Sequence, residues 1–136
     1  MLNWTERMWT ELQDTEKRND VSKLGPLWDF LDGYVSKGSQ LFLATDNYRV
    51  RNMSRARFGA SHHDTGGAIL HVDVQRHFRH ACAGFQYALL DQLVLTRCDV
   101  LVTSDSMFSW RAALIRGESE GLFHYHDGVV KKVDLV

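Results

Sequence analysis

Apolar side chains recur at helical spacing in several stretches of the chain. The pattern WTERMWTEL predicts an amphipathic helix in residues 1–20. A second stripe predicts a helix over Leu24–Val35, with Pro26 near its first turn, where a missing backbone N–H costs little. Phe85–Leu95 is apolar on nearly all sides, which predicts a buried helix.

Short apolar runs without helical spacing predict strands between these helices. The runs are QLFLAT at Gln40–Thr45, AILHVDV at Ala68–Val74 and DVLV at Asp99–Val102. Leu122–Val133 predicts a hairpin or edge pair around the turn sequence Asp127-Gly128. The intervening stretch Ser61 to Gly67 predicts a loop.

The alternation of helices and strands predicts an α/β fold with a doubly wound parallel sheet. The 136 residues fit one domain, with residues 1–22 as an N-terminal helical extension. An apolar content of 44% and a formal net charge of −1 predict an ordinary globular domain, and give no reason to expect nucleic acid or a membrane surface as a partner. The sequence has no apolar run of a membrane span's length and no signal-peptide pattern, although Asn3 and Asn52 begin glycosylation sequons that would suit a secretory lumen.

Thr103, Ser104, Asp105 and Ser106 follow the strand DVLV, just before a helix predicted from Met107. These residue types favour the N-cap of a helix, and a helix N-terminus binds anions through unpaired N–H groups and its dipole. Ligands of open α/β sheets bind at this end of the strands. Two interpretations therefore stand: a phosphate site, or serines that only cap the helix.

Other polar residues also have two interpretations each. Asp91 lies in an apolar helix and must meet donors or water, so it either binds a ligand such as guanine or pairs at the surface or with an arginine. The stretch after Asp46-Asn47 carries a basic stripe that either attracts a diphosphate or forms a solvated helix face. That stripe consists of Arg49, Arg51, Arg55 and Arg57.

Histidines and cysteines give weaker signals. No strong metal-ligand pattern is present among the histidines, so no metal is expected. The sets considered are His62-His63-Asp64, His77 with His80, and His124 with His126. Cys82 and Cys98 fit buried thiols, since a helix between them would hold them too far apart for a disulfide. The sequence contains no GxSxG, Walker or GxGxxG motif.

Three segments together resemble the fucosyltransferase superfamily. SDSMFSWRAAL at Ser104–Leu114 is similar to the SNSSFSWWGAWL-type motif of α1,2-fucosyltransferases and to the TFSS motif of protein O- and core α1,6-fucosyltransferases. LLDQLVLTRCDVLV at Leu89–Val102 resembles their leucine-aspartate helix and following strand. LFLATDN at Leu41–Asn47 resembles their ATDD or ATDN strand end.

The resemblance implies the Rossmann-like donor-binding half of a GT-B fold, in which GDP-fucose is the donor, no cofactor is needed, and transfer is inverting and metal-independent. It also implies a glycan or glycoprotein acceptor and a location in the Golgi or endoplasmic reticulum lumen. The resemblance, together with the turn after the strand DVLV and the helix that follows it, gives the expected substrate-binding residues. They are Asp46, Asn47, Asp91, Ser104, Asp105, Ser106, Met107, Phe108 and Arg111.

Two features depart from that family. Its HxRR-type motif, whose arginine neutralises the leaving diphosphate, has no match before Gln40, and Met107 replaces the second serine of TFSS. Arg111 offers a cation from the next helix but is not equivalent to the missing arginine, and no catalytic residue is assigned. The sequence therefore predicts a donor-binding fragment with weak or no transferase activity; the alternatives are a non-catalytic nucleotide-binding module and a structural fragment.

Overall fold

The computed structural model describes residues 20–66 and 78–135, with the side chains of residues 78–81 excepted. The predicted N-terminal helix and the predicted strand Ala68–Val74 lie outside these ranges. The described part is a mixed α/β structure whose four α-helices are α1 (Gly25–Val35), α2 (Tyr48–Phe58), α3 (Phe78–Leu95) and α4 (Met107–Arg116). Its strands are β1 (Leu41–Phe42), β2 (His62–His63), β3 (Leu101–Thr103), β4 (Leu122–His126) and β5 (Val129–Lys132).

The described strands form two small sheets. β1 pairs in parallel with β2, with Leu41 opposite His62. β4 lies between β3, its parallel neighbour, and β5, its antiparallel neighbour. The predicted hairpin is confirmed, and the positive φ angles of Asp127 (47°) and Gly128 (82°) are those of a tight two-residue turn. The predicted strand at Gln40–Thr45 is shorter than expected, and the predicted loop after Ser61 contains β2.

Helices pack on both faces of the β3–β4–β5 sheet. Leu122 of β4 is fully buried against α4, in a core cluster that also contains Leu101, Ala112 and Ala113. The neighbouring residue Phe123 points the other way, and its ring lies 4.8 Å from that of Phe30 on α1. A second cluster joins Leu24 and Trp28 to Phe58 of α2, with Leu41 and Tyr125 packed against it. Alternation along β4 therefore assigns its even-numbered residues to the α4 face and its odd-numbered residues to the α1 face.

Helix α3 is not buried as predicted. Phe85, Leu89 and Leu93, at successive helical turns, are 52%, 52% and 56% exposed, whereas Leu95 at the end of the helix is buried. A helix that is apolar on all sides has no preferred face, so contact with one neighbour leaves its other side uncovered. Both cysteines are free thiols, but Cys82 is exposed and Cys98 is half-buried, so the prediction of buried thiols is wrong for Cys82.

Candidate functional site

The turn between β3 and α4 is built by serine side chains. Ser106 is the N-cap of α4, and its Oγ accepts a hydrogen bond from the N–H of Phe108 at 3.2 Å. The Oγ of Ser109 accepts from the N–H of Ser104 at 3.0 Å and lies 2.9 Å from the carbonyl oxygen of Ser106. Sequence reasoning did not single out Ser109, although it stands three residues after the cap, the position that faces back onto the turn. The serines therefore do cap the helix, as one of the two interpretations predicted.

The same turn leaves backbone donors open. The N–H groups of Met107 and Ser109, in the first turn of α4, donate to no group in the described part of the chain. The five consecutive residues from Ser104 to Phe108 are all exposed. The exposed Met107 therefore presents an unpaired N–H at the positive end of a ten-residue helix, and the unpaired N–H of the half-buried Ser109 follows in the same turn. Such an arrangement favours an anion.

Asp91 lies on α3 and is half-buried. Burial raises the pKa of its carboxyl above the usual value, while a hydrogen bond with Thr65 and the positive charge of Arg51 oppose that rise. The negative charge of Asp64 adds to the rise. Its Oδ1 is buried and has no hydrogen-bond partner within residues 20–66 and 78–135. Asp91 thus has a hydroxyl partner and a positive charge in its surroundings, and one of its oxygens has no partner among the described residues.

A hydrogen bond ties the helix that carries Asp91 to the first turn of α4. The Nε2 of Gln92 donates to the carbonyl oxygen of Phe108, which ties α3 to the first turn of α4. Asn47 is the N-cap of α2, and its Oδ1 accepts from the N–H groups of Arg49 (2.8 Å) and Val50 (3.4 Å). One turn further along α2, Arg51 acts on Asp91. Gln92 therefore ties the helix that carries Asp91 to the first turn of α4, and Arg51 of α2 adds positive charge near Asp91. Asp46 is exposed beside Asn47.

A histidine pair on β4 adjoins this turn. The Nε2 of His124 lies 3.0 Å from Oδ1 of Asp105, and the Nδ1 of His126 contacts Oδ2 of the same carboxylate. The Nδ1 of His124 lies 2.9 Å from the hydroxyl of Thr103, and its ring packs on Trp110 of α4. The spacing of two residues on a strand predicts that both histidines lie on one face of the sheet. Their position next to Asp105 depends on the parallel pairing of β3 with β4.

A second polar cluster lies at the end of β2. The imidazole of His62 bridges Ser54 Oγ (2.7 Å from Nδ1) and Asp64 Oδ2 (2.6 Å from Nε2), and Arg55 holds the same carboxylate with two hydrogen bonds of 2.9 Å. Burial alone would raise the pKa of Asp64, but hydrogen bonds from His62, from the N–H of Gly66 and from Arg55 outweigh it and hold the pKa at about 2. Although these residues are a serine, a histidine and an aspartate, Ser54 is fully buried, so its hydroxyl cannot reach a substrate and the cluster is structural.

The arginines of the predicted basic stripe do not act together. Arg51 is buried, Arg55 binds Asp64, and Arg57 binds Asp32 and Asp29 on α1. Arg49, Arg55 and Arg57 are exposed, as the solvated-face interpretation predicted, whereas the buried Arg51 departs from it. On α4, Arg111 is exposed and makes no ion pair within the part of the chain described.

Comparisons with known proteins give no relatives: no family model matches the sequence, and no curated protein or solved structure is significantly similar to it. Among the described residues, no group of three or more His, Cys, Asp and Glu side chains is arranged to hold a metal ion. None of the helices within residues 20–66 and 78–135 is long and apolar enough to cross a membrane.

Proposed function

We propose that this chain is a donor-binding domain for a nucleotide sugar, of the kind found in fucosyltransferases. One observation carries the proposal: at the exposed start of α4, the N–H groups of Met107 and Ser109 have no partner in the described part of the chain. Gln92, next to Asp91 on α3, donates to the carbonyl oxygen of Phe108 in the same turn. A diphosphate would bind the N–H groups of Met107 and Ser109. Ser106 and Ser109 hold the turn in the shape that presents them.

The packing of helices on both faces of the sheet is consistent with half of a doubly wound GT-B fold, in which the ligand occupies the carboxyl edge of the parallel strands. The turn after β3 and the last residue of β4 share that edge. By resemblance, the donor is GDP-fucose and the acceptor is a glycan or glycoprotein in the secretory lumen. Full transferase activity then requires an acceptor half and a cation for the diphosphate.

Recognition of the guanine base of the donor is assigned to Asp91. A guanine presents two adjacent N–H donors that suit one carboxylate, and Asp91 keeps an unsatisfied oxygen. Since that oxygen is buried, guanine binding requires the groups covering it to move aside. A ligand that donates hydrogen bonds to the ionised carboxylate favours that form and lowers its raised pKa.

Titration calorimetry of the purified chain with GDP, GDP-fucose and UDP tests this proposal. We expect GDP and GDP-fucose to bind and UDP to bind at least tenfold more weakly. Asp91→Asn keeps the size of the side chain and an acceptor for Thr65 but loses the negative charge, so it should weaken GDP binding and leave UDP unchanged. Asp134→Asn, which alters an exposed acid near the end of the chain, is the matched control.

Each outcome separates the alternatives. Bound ligand stabilises the folded chain by RT ln(1 + [L]/Kd), so a rise in melting temperature with GDP provides an independent measurement. Binding of GDP without turnover of GDP-fucose would indicate a non-catalytic nucleotide-binding module. No binding at millimolar GDP would refute the proposal and leave a structural fragment.

A further inference from the structure

We propose that Asp105 and His126 form a carboxylate–imidazole dyad that accepts the proton of the attacking hydroxyl at the carboxyl edge of β3 and β4. The inference rests on the proposed function, because it supplies the proton acceptor that a donor-binding site alone lacks.

The hydrogen-bond pattern determines which nitrogen of each ring is protonated. An ionised carboxylate only accepts hydrogen bonds, so the ring nitrogens facing Asp105 must carry protons: Nε2 of His124 and Nδ1 of His126. Nδ1 of His124 contacts the hydroxyl of Thr103 at 2.9 Å, and that hydroxyl also donates to the carbonyl oxygen of Phe123 at 3.1 Å. Both nitrogens of His124 are therefore occupied.

His126 differs from His124 at its second nitrogen. Its Nε2 has no hydrogen-bond partner within the described residues, and its side chain is 68% exposed. A neutral His126 whose Nδ1 donates to Asp105 presents the lone pair of Nε2 to solvent. This is how a buried or fixed carboxylate orients an imidazole that acts as a general base.

The surroundings of His126 support this role. Asp105 stands between Ser104 and the N-cap Ser106, so the dyad adjoins the exposed first turn of α4. The rings of His124 and His126 stack on each other with their centroids 6.5 Å apart. Among the described residues, the other ionisable groups beside them are Asp105 from the turn after β3 and Lys131 from β5, which pairs with His124 across the sheet. The cross-strand partner of His126 itself is the apolar Val129. Asp105 is the charged group in direct contact with either ring, and it stabilises an imidazolium once formed.

The proposed step balances as follows. The acceptor oxygen bonds to the anomeric carbon of the sugar while its proton moves to Nε2 of His126. The bond from that carbon to the β-phosphate oxygen breaks, and its electron pair leaves with GDP. The imidazolium, stabilised by Asp105, then returns the proton to solvent. A general base typically contributes about 10²–10⁴-fold to such a rate.

The first test needs no activity. Two-dimensional ¹H–¹⁵N spectra of the imidazole rings at pH 8 report which nitrogen is protonated. We expect His126 to carry its proton on Nδ1 in the wild type and to lose that preference in Asp105→Ala. A His126 protonated on Nε2 in the wild type would overturn the dyad.

The second test measures hydrolysis of GDP-fucose, with water as the acceptor, at saturating donor. His126→Gln and Asp105→Asn should each slow GDP release at least about 100-fold, and His126→Gln should leave the Kd for GDP unchanged within about threefold. His63→Gln, which alters an exposed histidine on β2, is the matched control and should hydrolyse like the wild type.

The two proposals fail in different ways. No GDP binding in calorimetry refutes the proposed function and removes the substrate of the dyad. GDP-fucose binding without hydrolysis by the wild type, or with equal hydrolysis by His126→Gln, refutes the dyad while the donor site stands.

Discussion

Replacing Met107 with proline tests the anion site at a single backbone atom. Met107 is the first residue of α4, where proline is favoured and removes an N–H that the helix does not use. Proline also restricts the preceding residue to extended backbone, and Ser106 already has φ −107° and ψ 131°. Met107→Pro should therefore fold with unchanged stability, or gain up to about 1 kcal/mol.

The expected loss is in affinity alone. A hydrogen bond to a charged group contributes about 1.5–3 kcal/mol, so losing one N–H to the diphosphate should weaken GDP binding about 10- to 150-fold. Met107→Ala removes the same exposed side chain and keeps the N–H, so it should bind GDP like the wild type. Calorimetry measures both variants, and chemical denaturation checks their folding. Equal affinity of a folded Met107→Pro and Met107→Ala would refute a diphosphate bound at this N–H.

Three further predictions concern stability. The pKa of Asp64 is about 2 in the folded chain and 3.8 when unfolded, so its ionised form adds about 2 kcal/mol to the free energy of unfolding. That stability is present above about pH 4 and is lost as the pH falls to about 2. Urea titrations at several pH values should show this loss in the wild type and not in Asp64→Asn. In urea titration, Leu101→Ala should lower the free energy of unfolding by about 2–5 kcal/mol because Leu101 is buried. Leu93→Ala, on the exposed face of α3, should lower it by less than about 1 kcal/mol. Equal losses in the two variants would contradict the exposure of Leu93. Gly121→Ala places a Cβ 2.4 Å from a backbone carbonyl oxygen at a φ of +65°, so its melting temperature should fall well below that of Gly38→Ala, which has positive φ but open space.

Local signals in the sequence predicted local structure well. The serines and apolar spacing after β3 predicted α4 and a serine cap at Ser104 or Ser106, which the structure has at Ser106, and Asp127-Gly128 predicted the hairpin turn. These features depend on residues within a few positions of one another, so the sequence carries enough information for them.

Features that depend on distant pairing were not predicted. The buried bridge from Ser54 to His62 exists because α2 packs against β2, and the exposure of Leu89 follows from which neighbours α3 meets. Composition indicated a buried helix and a loop at these positions because it reports how apolar a segment is and not what covers it. The place of His126 beside Asp105 similarly required the pairing of β3 with β4.

The turns that follow the parallel strands of the two sheets differ in how far their polar groups are satisfied, and this difference indicates where a ligand can bind. After β1, Asn47 uses its side chain to cap α2. After β2, Asp64 is held by His62, Arg55 and the N–H of Gly66. These groups already have partners, so a ligand there would have to replace existing hydrogen bonds. At α4, the N–H of Met107 would gain a partner and lose none. Under the proposed function, the diphosphate of a nucleotide sugar would bind at α4, whereas the side chains of Asn47 and Asp64 already have partners within the protein.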